Sequence, residues 1–221
     1  MRLGTLTGPI VEHPPAIFIA DSLGLDFLNS VATPIDTPVD WLASGDGLLR
    51  WLAQAELAPR DALDELKAHA MPGELDSVAD QARALREWFR RFVRKHMGRP
   101  LPPKALQELG PLNTLLQRDE TFSQISRSQI SSHRERDGDR FELRVVRRWR
   151  SPESLLLPVA EALAKFVCEE DFTRVKACEG HSCTLVFADH TRGQARKWCS
   201  MAVCGNRAKQ AAHRSRFKKK R

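Results

Sequence analysis

Four cysteines near the C-terminal end, spaced Cys178-x4-Cys183-x15-Cys199-x4-Cys204, constrain this chain more than any other feature. Two close pairs separated by room for a strand and a turn can bring four thiolates to the corners of a tetrahedron. That is the geometry zinc prefers, with Zn–S near ~2.3 Å. A disulfide framework needs an oxidising compartment, and nothing in the sequence points to one. So short a segment cannot build a sufficient apolar core of its own, so one structural Zn²⁺ per chain is expected to hold it folded.

The other 173 residues can bury a substantial core, since 42% of the chain is hydrophobic. Two units are therefore expected, 1–173 and 174–221. The N-terminal stretch MRLGTLTGPIVEHPP has one basic residue and no sustained apolar run, unlike a secretion signal. The apolar stretch from Leu155 to Cys168 is interrupted by Glu161 and Lys165, short of the ~20 residues a membrane span needs. A cytoplasmic protein without a membrane partner is expected. Net charge divides sharply: Arg174 to Arg221 holds 13 Lys and Arg against only Glu179 and Asp189, whereas residues 1–173 are mildly acidic. Such asymmetry is the footprint of polyanion binding.

Periodicity makes the first unit mainly α. Ala16 to Ser30 reads as a short strand running into an apolar helix that carries the unusual polar residues Asp26 and Asn29. VATPIDTPVDW, with two X-Pro steps, reads as a loop. Ser44 or Asp46 offers an N-cap to a helix carrying Leu48, Leu49, Trp51 and Leu52, and Pro59 ends it. Helices are expected over 60–70 and 74–97. In the second, Val78, Leu85, Trp88, Phe89, Phe92 and Val93 form a stripe opposite Arg83, Arg86, Arg90 and Arg94. Helical spacing resumes at Lys104 with a break at Gly110 and Pro111. FSQISRSQI and FELRVVRRW flank RERDGD as a small β-hairpin would, and a last helix follows Pro152, with Pro158 in its first turn or kinking it.

In the cysteine segment, Glu179 to Ser182 forms a tight knuckle loop, Thr184 to Ala188 a short strand, and Ser200 can cap a helix that holds Cys204 in its first turns. Arg207, Gln210, Arg214, Phe217, Lys218 and Arg221 follow steps of three or four and share one helical face. A long basic face cannot be core. Lysines and arginines there would neutralise phosphates, while Arg207, Gln210 or Arg214 could reach base edges. Lys176, Arg196, Lys197 and Arg207 stand near enough to offset the negative charge of a four-thiolate zinc, or to contact phosphate. Gly205 permits close backbone approach at the metal, and Asn206 either bonds locally to hold the knuckle or touches a base or phosphate. Cys168 lies apart on an apolar helix.

The run Trp198-Cys199-Ser200-Met201-Ala202-Val203-Cys204-Gly205-Asn206-Arg207-Ala208-Lys209 resembles the signature of the bacterial CGNR zinc fingers. Leu25-Asp26-Phe27-Leu28-Asn29-Ser30, Leu85-Arg86-Glu87 and Leu112-Asn113 resemble the companion N-terminal domain called ABATE, found in stress-induced transcription regulators. The resemblance implies a helical domain joined to a zinc finger, Cys178, Cys183, Cys199 and Cys204 as ligands, and a role in transcription. The chain departs from relatives at His190, where a small hydroxyl residue is common, and in carrying His181 within the first pair. Either imidazole is an alternative ligand.

Three classes of function follow. The first is a zinc-containing transcriptional regulator, its finger touching DNA through Arg196, Lys197, Arg207, Gln210, Arg214 and Lys218, with the helical unit sensing a signal or forming a homodimer. RNA is the alternative nucleic acid. The second is a small-molecule-binding regulator in which Asp26, Asn29, Arg86 and Asn113 converge on an effector pocket, the competing reading being helix caps and interhelical hydrogen bonds. An enzyme fares worst: the chain has no G-x-S-x-G, phosphate loop, H-E-x-x-H or dinucleotide fingerprint, and a zinc held by four cysteines has no open position.

Overall fold

A computed structural model describes residues 14–33, 38–127 and 141–218. The expected hairpin connector RERDGD, the basic residue Arg221 and the side chains of Phe217 and Lys218 lie outside what is described. The order is α1 (Leu23–Leu28), β1 (Val31–Ala32), β2 (Val39–Asp40), α2 (Gly45–Gln54), α3 (Arg60–His69), α4 (Glu74–His96), α5 (Gly110–Leu116), β3 (Thr121–Arg127), β4 (Phe141–Arg147), α6 (Leu156–Glu169), β5 (Val175–Ala177), β6 (Val186–Ala188) and α7 (Asn206–Lys218). The fold is mainly α, with three antiparallel two-stranded ribbons among the described residues.

Local chemistry sets the helix ends. Ser44 Oγ accepts from the Gly47 N–H at 3.1 Å, the expected N-cap of α2, and Asp76 in the first turn of α4 accepts from the Gly45 N–H at 2.7 Å. Gly73 takes φ 81°, a left-handed conformation that glycine adopts without strain, immediately before α4. That helix opens with Glu74 and Asp76 and closes with Arg94, Lys95 and His96, matching its dipole at both ends. Pro158 stands in the first turn of α6, where no intrahelical N–H is lost.

The core is aromatic at its centre. Phe27 meets Trp51 edge-on at 5.6 Å, and Phe89 meets Phe166 edge-on at 5.9 Å. Gly24 lets α1 cross α6 closely, because a Cβ there would stand 2.7 Å from the Phe166 Cβ. Each large apolar side chain fully buried here contributes roughly 1.5–3 kcal/mol. The same cluster continues into Val175, Leu185, Val186 and Phe187 of the cysteine segment.

Several local expectations need correcting. Residues 14–20 are extended but form no strand, because the polar groups of Ile19, Ala20 and Asp26 bond one another and the finger instead of a ladder. The Pro-containing loop hides a ribbon, Val31 pairing with Asp40 and Ala32 with Val39. Arg86 and Arg90 do not belong to the solvated face of α4: both are buried, since Ala79, Ala82, Arg86, Phe89, Arg90 and Val93 form the inner side of the helix. Ser200 stands before the turn holding Cys204, but its side chain makes no cap; only its carbonyl accepts, from the Gly205 N–H at 3.1 Å.

Candidate metal centre and nucleic-acid interface

β5 and β6 pair antiparallel, Lys176 opposite Phe187, and carry the chain into and out of the knuckle between Cys178 and Cys183. A wide helical turn, Met201–Gly205, then delivers Cys204 against the other three cysteines. All four sulfurs lie within 4.8 Å of one another. The Cys183 and Cys199 sulfurs are 3.7 Å apart and those of Cys199 and Cys204 3.5 Å. A zinc at the usual Zn–S length places its ligands about 3.8 Å apart, so the donor set fits the ion in both chemistry and spacing. Cys178, Cys199 and Cys204 are buried and Cys183 is half-buried.

Without a cation, four such sulfurs cannot all ionise. The Cys199 thiol beside Cys183 lowers that cysteine to about 5, while Cys183 in turn pushes Cys199 far upward and burial raises Cys204 to about 11. A divalent ion removes that conflict. Backbone amides of Gly180 and Cys199 point at the Cys178 sulfur from 3.4 and 3.2 Å, adding positive dipole to the thiolates. Gly180 is needed for the approach, since a Cβ there would meet the Cys204 sulfur at 3.0 Å. Gly205 fits against Trp198 and Met201 in the same way, and Asn206 donates to the Ala202 carbonyl at 3.3 Å. Neither histidine joins the sulfurs: His181 is exposed, and His190 Nε2 pairs with Glu170 at 3.0 Å.

The centre is bolted to the helical unit. Asn29 donates to the Val186 carbonyl at 2.8 Å and accepts from the Val186 N–H at 3.0 Å, standing in for a neighbouring strand beside β6. The Ala188 N–H donates to the Ala20 carbonyl. Arg196 lies over the Phe187 ring at 4.2 Å and donates to the carbonyls of Ile19, Trp198 and Cys199 and to the Asp21 carboxylate. Its guanidinium is committed to protein groups on both sides of the junction. Fully buried Asp189 accepts from Lys176 at 2.8 Å, from Thr191 and from the Arg196 N–H at 3.0 Å. Burial opposes its charge, but those donors hold its carboxyl well below the usual range.

Of the four candidate effector residues, Asp26 and Asn29 stand one turn apart at α1 and Arg86 bonds the neighbouring Ser30, while Asn113 lies on α5. Asp26 accepts from the Ile19 and Ala20 N–H groups, and burial raises it to about 6. Asn29 is taken up by β6. Arg86 grips Asp40 through two 2.7 Å bonds and donates to Ser30 Oγ at 3.0 Å. Asn113 is exposed on α5. The side chains of Asp26, Asn29 and Arg86 bond groups elsewhere in the chain. Asp21 and Asp40 carry no local signal, because their partners Arg196 and Arg86 lie far along the chain, whereas Asp189 is marked by the scarcity of carboxylates in the finger that holds its partners.

On α7, Arg207, Gln210 and Arg214 are exposed, as is Lys197 before it. No acidic residue occurs after Asp189. Two family patterns match. Residues 21–170 match ABATE, described as "Putative stress-induced transcription regulator". The chain belongs to the ABATE family. Its residues 174–217 match the CGNR zinc finger, so Cys178, Cys183, Cys199 and Cys204 are the zinc site of a CGNR finger following an ABATE domain. No curated protein matches the chain. Both families are regulatory or metal-binding rather than enzymatic, and among the described residues no helix is long and apolar enough to cross a membrane.

Proposed function

We propose that this ABATE protein is a DNA-binding transcriptional regulator whose zinc finger presents the basic face of α7 to the duplex while the helical domain receives the controlling signal. The observation that carries the reading is the placement of Arg207, Gln210 and Arg214, exposed on a helix rooted at the zinc site in a segment without acidic residues beyond Asp189. Zinc is structural here: four thiolates leave no coordination position for water or substrate. Its task is to fix the direction of α7.

The roles divide within the basic segment. Arg207, Arg214 and Lys218 neutralise phosphates, Gln210 stands between them within reach of a base edge, and Lys197 adds charge beside the knuckle. Arg196, whose donors are used at the junction, holds the finger's orientation rather than touching nucleic acid. The two units, 1–173 and 174–221, then act as receiver and reader, coupled through Asn29, Ala20 and Arg196.

Titration of a labelled duplex with the zinc-loaded protein at increasing salt tests this. Affinity should fall steeply with ionic strength, and replacing Arg207, Arg214 and Lys218 together with alanine should flatten the slope of log K against log salt by roughly 2–3. Absence of binding at low salt would overturn the proposal. Tighter binding to single strands or folded RNA in competition would move the target from DNA to RNA.

A further inference from the structure

The geometry points to a homodimer formed by the β3–β4 ribbon, two copies stacking the same apolar face with the free end of each ribbon over the base of the other. This inference does not depend on nucleic-acid binding. Register pairs Ile125 with Leu143, Ser123 with Val145, Arg127 with Phe141 and Thr121 with Arg147, all on one face. On it Ile125, Phe141, Leu143 and Val145 are each 71–75% exposed. The two strands pack mainly on each other, and an isolated hairpin is marginal in water.

Area favours a second copy. Four side chains of this size at that exposure present on the order of 500 Å² of apolar surface, the upper range for a single patch on a monomer. Two such faces remove on the order of 1,000 Å² from water, the lower bound of a specific interface. Sheets stacked about 10 Å apart also need large residues over small ones. A two-fold axis across the ribbon, between the Ser123–Val145 and Ile125–Leu143 rows, provides this: Ile125 lies over Ser123 of the partner subunit and Leu143 over Val145 of the partner subunit.

Side-chain size selects that orientation over end-to-end alignment, since the carboxylates at the base already pair with Arg147 and Arg150. Arg127 marks the free end, whereas the base carries Asp119 and Glu120 just before β3. There Arg147 is already neutralised by Asp119 and Glu161, each at 2.7 Å. Crossing the ribbons brings Arg127 over Thr121 and the adjoining carboxylates of the partner subunit, and Phe141 over the partner's Arg147. Aligning free end on free end, about a two-fold along the strands, would instead set Ile125 over Leu143 of the partner subunit and Ser123 over Val145 of the partner subunit, large on large and small on small.

Sedimentation equilibrium of the zinc-loaded full chain tests the proposal. The native protein should be dimeric at micromolar concentration, and Leu143→Asp with Val145→Asp should raise the dissociation constant on the order of a hundredfold or more. Ser123→Arg removes no apolar contact, so it should leave folding intact and still yield monomers. Gln124→Lys, on the opposite face, should leave the dimer unchanged. A monomeric native protein, or a dimer that persists in both face variants, would overturn the interface.

Discussion

Two of the three ribbons invite comparison. β5–β6 is three residues per strand, yet Val186, Phe187 and Ala188 are all buried, because each side of the ribbon has a partner. Asn29 and Ala20 occupy the outer edge of β6, Arg196 covers Phe187, and the zinc ligands fix both strands at the knuckle. β3–β4 is more than twice as long, but on one of its faces Ile125, Phe141, Leu143 and Val145 are exposed to water. Strand length therefore does not decide which ribbon is secure. The short one is held by bonds from distant residues, and the long one is built to acquire its cover from outside.

Removing the metal should separate the two most. Chelation of zinc deprives the finger of a binding free energy of roughly 10 kcal/mol or more. Hydrogen exchange should then show β5, β6 and α7 losing protection, while β3, β4 and the helices α2 to α4 keep theirs. Equal loss everywhere would mean that the finger and body fold as one unit. Next in size is Asn29→Ala, which strands a buried N–H and a buried carbonyl of Val186 at a cost of about 3–4 kcal/mol. Denaturant unfolding at low protein concentration should register that loss. Leu143→Thr on the exposed ribbon should there stay within about 0.5 kcal/mol of the native protein.

What could be read in advance follows the same division between local and distant partners. The zinc ligands were legible because a tetrahedron of sulfurs is encoded by spacing within a short segment. Ser44, Pro59 and Pro158 were legible as helix punctuation for the same reason. Arg86 and Arg90 were misplaced, since their burial depends on Asp40 and the Leu28 carbonyl, on other elements. Asn29 is the sharpest case: its partner is 157 residues away, so nothing near it marks an amide that substitutes for a strand. Arg196 shows the converse. A basic residue in a basic segment reads as a phosphate ligand, and only its contacts with Ile19 and Asp21 reveal a clamp.

A pH-dependent effect distinguishes two carboxylates at the covered ribbon's junction. Asp189 is held low by Lys176 and its neighbouring donors, so its contribution is present above the ordinary carboxylate range and disappears only as the solution becomes strongly acidic. Asp26 behaves oppositely. Burial raises it from 3.8 to about 6 despite the two amides it accepts, so the folded chain binds a proton more tightly than the unfolded chain. Its contribution is fully present below about pH 4 and fades as pH rises through about 6, by on the order of 3 kcal/mol. Zinc thiolates add a slope of the other sign, because acid protonates them and releases the ion. Comparing native protein with Asp26→Asn cancels that common slope: the amide keeps an oxygen for Ile19 and Ala20 but cannot titrate. Stability measured from pH 4 to 7 should therefore rise more steeply in the variant than in the native chain. Parallel curves would show that Asp26 does not change its charge between the two states, and that the ribbon's junction tolerates an ionised carboxylate without penalty.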